Sequence, residues 1–212
     1  MNRKLRVKMS ISAVQSYKNY SDEDLMEFFQ NGKTAAFNEL VYRYQDRLHN
    51  FLYRYTHDHQ DCEDLVQETF LRVHKSKDSY ERIARFSTWM YTIALNLAKS
   101  LYKKKKRMYM VTIHKDDSDP EDREMVIEDH NILPDQQLHE KLCIEQLEKA
   151  LMEIPEDFRE VIVLRDIQQL TYEEISDITD VPMGTVKSRI NRGRVQLQDL
   201  LINYVKPGTN AA

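Results

Sequence analysis

Between Thr185 and Arg194 lie Lys187, Arg189, Arg192 and Arg194 with no acid among them. Arg can grip the edge of guanine with two parallel hydrogen bonds, while Lys, Ser and Thr can hold phosphates. Thr185, Lys187, Ser188, Arg189 and Arg192 are therefore candidates for contact with duplex DNA. A second constellation, Asp61, Glu63, Asp64, Gln67 and Glu68, offers carboxylates and one amide at the start of an apolar-periodic stretch. Such a face can orient a basic protein partner. It can also be an ordinary helix start, where acids favour the positive end of the dipole. A third stretch, from Tyr80 through Phe86 to Lys99, Lys103 and Lys104, mixes aromatic rings with a cationic track. That mixture suits single-stranded nucleic acid, because every base has a π-face and every nucleotide a phosphate. Core packing is the competing reading for the aromatics, and it is the favoured one for Trp89, the single tryptophan.

The elements that must carry these residues are helices. Only four residues are Gly and five are Pro among 212. So few breakers predict long uninterrupted helices and an all-α chain. Ser21 precedes Asp22, Glu23 and Asp24 as an N-cap followed by first-turn acids, and a short helix runs to about Gly32. Phe37, Leu40, Val41, Tyr44, Leu48, Phe51, Leu52 and Tyr55 make the three- and four-residue steps of a long second helix. After a break at His57-Asp58-His59, a third helix turns Cys62, Leu65, Val66, Phe70 and Val73 inward. A loop near Lys75 to Glu81 leads to a fourth helix, which begins near Phe86 and runs into Lys103–Arg107.

Periodicity is lost between Met108 and Leu138, where Pro120, Pro134 and a run of acids predict a flexible acidic linker. Beyond it, Ile144, Leu147, Leu151 and Ile154 form one stripe, and Phe158, Val161, Ile162 and Leu164 another. Thr171-Tyr172-Glu173-Glu174 has capping-box spacing, with Thr171 at the N-cap and Glu174 three residues on. A short helix, a turn at Asp180 to Gly184 and a basic helix from about Thr185 to Leu201 complete a helix-turn-helix. Gly193 sits on the inward stripe seven residues after Val186, which predicts close approach of a neighbouring helix. The expected organisation is all-α: a basic tail over 1–20, a helical domain over 21–107, the linker over 108–138 and a helix-turn-helix domain over 139–204.

The stretch TYEEISDITDVPMGTVKSRINRGRVQL, Thr171 to Leu197, resembles the C-terminal motif of the extracytoplasmic-function (ECF) RNA polymerase sigma factors. Two positions depart from the family pattern: Asp180 where Gly is common, and Gly193 where Ala is usual. The stretch DCEDLVQETFLRV, Asp61 to Val73, resembles the family's helix that docks on the β′ coiled coil of core polymerase, and FSTWMYTIALNLAKSLYKKKKR, Phe86 to Arg107, resembles its minus-ten recognition helix. The resemblance implies a factor that binds core RNA polymerase through the β′ coiled coil and β flap. It implies that the C-terminal domain reads duplex minus-thirty-five DNA. Tyr80, Phe86, Asn96, Lys99, Lys103 and Lys104 would engage the opened minus-ten strand, and an anti-sigma factor is an expected partner.

The cysteines, Cys62 and Cys143, are two and far apart, which points to a reducing compartment without a disulfide framework. No run approaches the roughly 20 apolar residues of a membrane span, so a cytoplasmic location without membrane insertion is expected. The seven His residues are scattered, and no Ser/His/Asp grouping, metal-ligand cluster or phosphate-cradling Gly loop is present. Neither an enzyme nor a cofactor is expected. The rival reading is a stand-alone helix-turn-helix repressor or activator that binds a palindrome as a dimer.

Overall fold

The computed structural model describes residues 17–113 and 135–205. The described residues form helices with no strand among them, as the scarcity of Gly and Pro predicts. The first group is α1 (Asp22–Gln30), α2 (Thr34–Thr56), α3 (His59–Lys75) and α4 (Phe86–Ile113). The second is α5 (Asp135–Glu153), α6 (Glu156–Ile162), α7 (Tyr172–Thr179) and α8 (Met183–Val205).

Local chemistry sets most helix ends. The Ser21 hydroxyl accepts from the Asp24 N–H at 3.1 Å to start α1. The Asp58 carboxylate accepts from the Asp61 N–H at 2.8 Å to start α3. Between them, α2 ends at His57, whose left-handed backbone (φ 54°) turns the chain. At α4 the cap comes from a distant residue: the Phe86 N–H donates to the Glu23 carboxylate at 3.1 Å.

The first core is built on the predicted stripes. Phe37, Leu40, Tyr44, Leu48, Phe51, Leu52 and Tyr55 are buried on α2, facing Leu25, Met26 and Phe29 of α1, Cys62, Leu65 and Val73 of α3, and Met90, Tyr91, Ala94 and Leu95 of α4. Trp89 is partly buried and packs against this core, as favoured from its spacing. In the second group Leu151, Ile154, Val161, Ile162, Val163, Leu164, Ile175, Ile178, Val186 and Ile190 are buried.

Four boundaries differ from the sequence reading. Tyr17 to Tyr20 are held rather than free: the Arg43 guanidinium donates to the carbonyls of Tyr17, Lys18 and Tyr20 at 3.2, 2.9 and 2.9 Å, and Tyr17 and Tyr20 pack on Phe28. Residues 1–16 of the expected tail lie outside the described residues. Helix α4 continues to Ile113 and α5 begins at Asp135, so both ends of the expected linker are helical. The acidic centre, 114–134, lies outside the described residues. Ile144 is 53% exposed, so the inward stripe of α5 starts later than expected. Finally, α6 does not run on as a plain helix. It widens into a π-turn over Val163–Ile167, in which the Gln168 N–H reaches back to the Val163 carbonyl at 3.0 Å, and Gln169 then adopts φ 61°.

Candidate nucleic-acid and polymerase interfaces

The helix-turn-helix is α7, its turn and α8. Both bonds of the capping box are made: the Glu174 N–H donates to the Thr171 hydroxyl at 3.2 Å, and the Thr171 N–H donates to the Glu174 carboxylate at 2.8 Å. The turn is closed by Asp180 in the left-handed conformation (φ 55°), the geometry that makes Gly common at such positions. Ile175 and Ile178 of α7 are buried with Val186 and Ile190 of α8. Gly193 is where two helices meet: a Cβ built there would stand 2.6 Å from Ile162 Cδ1 and 3.0 Å from Phe158 Cβ. The predicted close approach is real, and its partner is α6.

On the other side of α8, Thr185, Lys187, Ser188 and Arg192 are exposed. The Lys187 ammonium stands 5.6 Å from the centre of the Tyr172 ring. Among the described residues no acid is paired with Lys187 or Arg192. Arg189 differs. It is half-buried, and its guanidinium is 2.6 Å from Asp157 and 3.6 Å from Glu160. Arg194 is paired with Asp166. The four cations of this helix thus divide into two open and two engaged.

On α4, Asn96, Lys103 and Lys104 are exposed and Lys99 is half-buried. The Lys99 ammonium lies 2.9 Å from Glu160 of α6, a residue only 1% exposed. Burial pushes the Glu160 carboxyl above the usual carboxylate range, and Lys99 draws it back toward the charged form. Tyr80 and Phe86 are corrections to the sequence reading. They are 6% and 0% exposed, and with Trp89 they form one aromatic cluster that closes the end of the first core. The Tyr80 hydroxyl donates to the Ala84 carbonyl at 2.9 Å, and burial pushes its pKa up to about 12. Neither ring is available to stack on a base. The loop they anchor instead exposes Glu81, Arg82 and Ile83, with Ile83 at 88% exposure.

The acidic constellation lies along one side of α3. Glu63, Asp64 and Gln67 are exposed, and Asp61 and Glu68 half-exposed. Asp61 is paired with Lys105 of α4, and Glu68 with Arg72 at 3.0 Å. Leu71, 52% exposed, follows Gln67 by four residues and Glu68 by three, so it shares their face. The sequence reading placed Leu71 neither on the inward stripe nor on the acidic face.

The two helical groups share one apolar cluster, and polar contacts bridge them as well. The buried Tyr91 hydroxyl donates to the Gln168 side-chain oxygen at 2.7 Å, and the Gln168 amide donates to the Arg47 carbonyl at 3.3 Å. Arg54 pairs with Glu148 at 3.6 Å, Arg85 with Glu174 at 3.2 Å, and the Tyr55 hydroxyl with Glu156. A cavity of about 560 Å³ opens beside this seam, lined in part by Arg43, Arg47, Arg85 and Gln168. No helix among the described residues is long and apolar enough to cross a membrane.

Comparison with known proteins places these elements in context. Residues 40–108 match the family described as Sigma-70 region 2, and residues 144–197 match Sigma-70, region 4. The chain is 38% identical over 181 residues to the ECF RNA polymerase sigma factor SigE of Mycolicibacterium smegmatis, covering 84% of this chain and 67% of that protein. It is 31% identical over 186 residues to the RNA polymerase sigma-H factor of Pseudomonas aeruginosa, covering 85% and 93%. Among solved structures, it resembles the sigma factor RpoE in complex with the anti-sigma factor NepR from Bartonella quintana, with a TM-score of 0.60, 27% identity and coverage of 78% and 96%.

Proposed function

The chain belongs to the ECF RNA polymerase sigma factors, and from that premise we propose how its surfaces divide the work of transcription initiation. Its function is to bind core RNA polymerase and direct promoter recognition, strand opening and initiation. Catalysis belongs to the polymerase.

In this reading residues 21–107 dock on polymerase and engage the opened minus-ten strand, and residues 139–204 read the duplex minus-thirty-five element. Asp61, Glu63, Asp64, Gln67 and Glu68 meet the β′ coiled coil, and the second domain meets the β flap. Thr185, Lys187, Ser188, Arg189 and Arg192 enter the major groove, whose width admits one helix. Asn96, Lys99, Lys103 and Lys104 track the single strand. Tyr80 and Phe86 support the loop from within. The observation that carries the reading is the split face of α8: Val186, Ile190 and Gly193 are buried, while Thr185, Lys187, Ser188 and Arg192 stand open on the opposite side. The Bartonella structure is of a sigma factor held by an anti-sigma factor, which supports an anti-sigma partner for this chain too.

Run-off transcription tests the proposal. Core polymerase and pooled genomic fragments, with and without the chain, should give discrete new transcripts only when the chain is present. Transcripts unchanged by the chain, together with duplex binding as a free dimer, would return the assignment to a stand-alone repressor or activator.

A further inference from the structure

The loop between α3 and α4 is tied along its length to α1, a helix that lies outside the matched residues 40–108. The Gln30 amide donates to the Lys77 carbonyl at 2.7 Å and to the Tyr80 carbonyl at 2.9 Å. In return the Lys77 ammonium donates to the Phe29 and Gln30 carbonyls at 3.5 and 3.3 Å, at the end of α1. Arg82 pairs with Asp24 at 2.9 Å and Glu27 at 3.6 Å. Glu23 caps Phe86, where the loop becomes α4. These tethers leave Ile83 outside: it is the most exposed large apolar side chain among the described residues. We propose that α1 is a splint for this loop, that Gln30 is its positioning residue, and that Ile83 is the side chain it presents to set base preference in the opened minus-ten strand. The proposal rests on the minus-ten reading given above.

The chemistry of Gln30 suits the task. One amide nitrogen carries two N–H donors at a fixed angle, so a single side chain grips both ends of the turn that begins at Lys77 and closes at Tyr80. Both acceptors are backbone carbonyls, so the grip sets the path of the chain itself. The other ties are weaker. The Arg82 side chain is 57% exposed, and ion pairs so open to water and salt contribute little. Gln30 is half-buried, which shields its two bonds. Helix α1 cannot simply follow the loop, because Leu25, Met26 and Phe29 anchor it in the first core.

A fixed loop matters for recognition in two ways. A loop free to move loses conformational entropy each time it closes on a strand, and one already held does not. A mobile apolar side chain can also settle against any base. A fixed one meets some bases well and others badly, and that difference is what discrimination consists of. Isoleucine has no side-chain donor or acceptor, so its preference is one of shape and apolar contact, which depends on where the loop puts it.

The experiment uses the full chain with core polymerase. A genomic promoter recovered by run-off transcription is randomised across its minus-ten and minus-thirty-five elements, with a barcode in each transcript. Gln30→Met keeps the length of the side chain and removes its donors. It should flatten base preference several-fold at the same minus-ten positions as Ile83→Ala and leave minus-thirty-five preference unchanged. The double variant should lose no more than Ile83→Ala alone, because Gln30 acts through Ile83. On the free chain, trypsin cleavage after Arg82, followed by mass spectrometry, should speed up several-fold in Gln30→Met with circular dichroism unchanged. Unchanged cleavage overturns the splint. Faster cleavage with unaltered minus-ten preference in either single variant overturns the role in reading the strand, and so does a uniform loss across both elements. If Gln30→Met does not fold, Lys77→Met, which cuts the reverse tether, decides by the same two readings. Failure of the sigma reading appears separately, as no transcript that depends on the unaltered chain. It takes the strand-reading role with it and leaves cleavage to judge the splint.

Discussion

At the scale of single residues, Gly193 and Cys62 make opposite demands on their surroundings. Gly193 gives up helix propensity to let α6 approach α8. Adding a methyl would recover about 1 kcal/mol of propensity but overpack Ile162 and Phe158, a change that typically costs about 1–3 kcal/mol. Gly193→Ala should therefore lower stability in urea denaturation. Ile162→Val removes the Cδ1 atom nearest the new methyl, so the double variant should show favourable coupling in a mutant cycle. Additive losses would place the strain at Phe158 alone. Cys62 is fully buried, its thiol donates to the His49 carbonyl at 3.4 Å, and burial pushes its pKa up to about 11. Cys143 is exposed. A thiol reagent at pH 7.5 should modify Cys143 and spare Cys62 until the chain unfolds. The folded chain keeps the Cys62 proton that an unfolded thiol loses near pH 8.5. This group therefore favours folding below that pH, and its contribution declines as pH rises toward 11.

At the scale of elements, what could be read in the sequence was what local chemistry decides. The caps of α1 and α7 and the stripe of α2 follow from short-range spacing, and all three are present. Thr171→Ala removes one capping bond and should cost about 1 kcal/mol, measured as a lowered urea midpoint at constant slope. Glu174→Ala tests the reciprocal bond, and a midpoint unmoved by both changes would show that tertiary contacts alone hold α7. What could not be read depends on partners distant in sequence. The π-turn after α6 has no composition signal; Val163 and Leu164 are buried as an ordinary helix would bury them. Tyr80 and Phe86 were misread because an aromatic ring serves a core and a nucleobase by the same chemistry. Gln168 has no place in any sequence pattern, yet it is 5% exposed, and its partners Tyr91 and Arg47 are 77 and 121 residues away. Periodicity reports that a residue turns inward but not what it meets.

At the scale of the whole molecule, the charge of −4 is the sum of segregated surfaces, and the fold redistributes them further. From the sequence, four cations of α8 would each neutralise a phosphate, for a slope of log affinity against log salt of roughly −3.6. With Arg189 and Arg194 engaged by acids of their own helical group, the free chain offers only Lys187 and Arg192 from this helix, and the slope falls to roughly −1.8. Duplex binding by the isolated chain should show the shallow slope, and the polymerase-bound chain should gain steepness. Replacing Lys187 and Arg192 together should nearly abolish duplex binding by the free chain. Retention of binding in that variant would move the groove contact off α8.

The two oxygens of Glu160 carry a consequence of another kind. Because one acid answers to both helices, the two proposed DNA contacts are not independent equilibria. A ligand that draws Lys99 away leaves Glu160 to Arg189 alone, with Asp157 still on the same guanidinium. Arg189 is then held harder, and by reciprocity a ligand on Arg189 leaves Glu160 more firmly on Lys99 to the same degree. One carboxylate that touches no DNA would set the two contacts against each other.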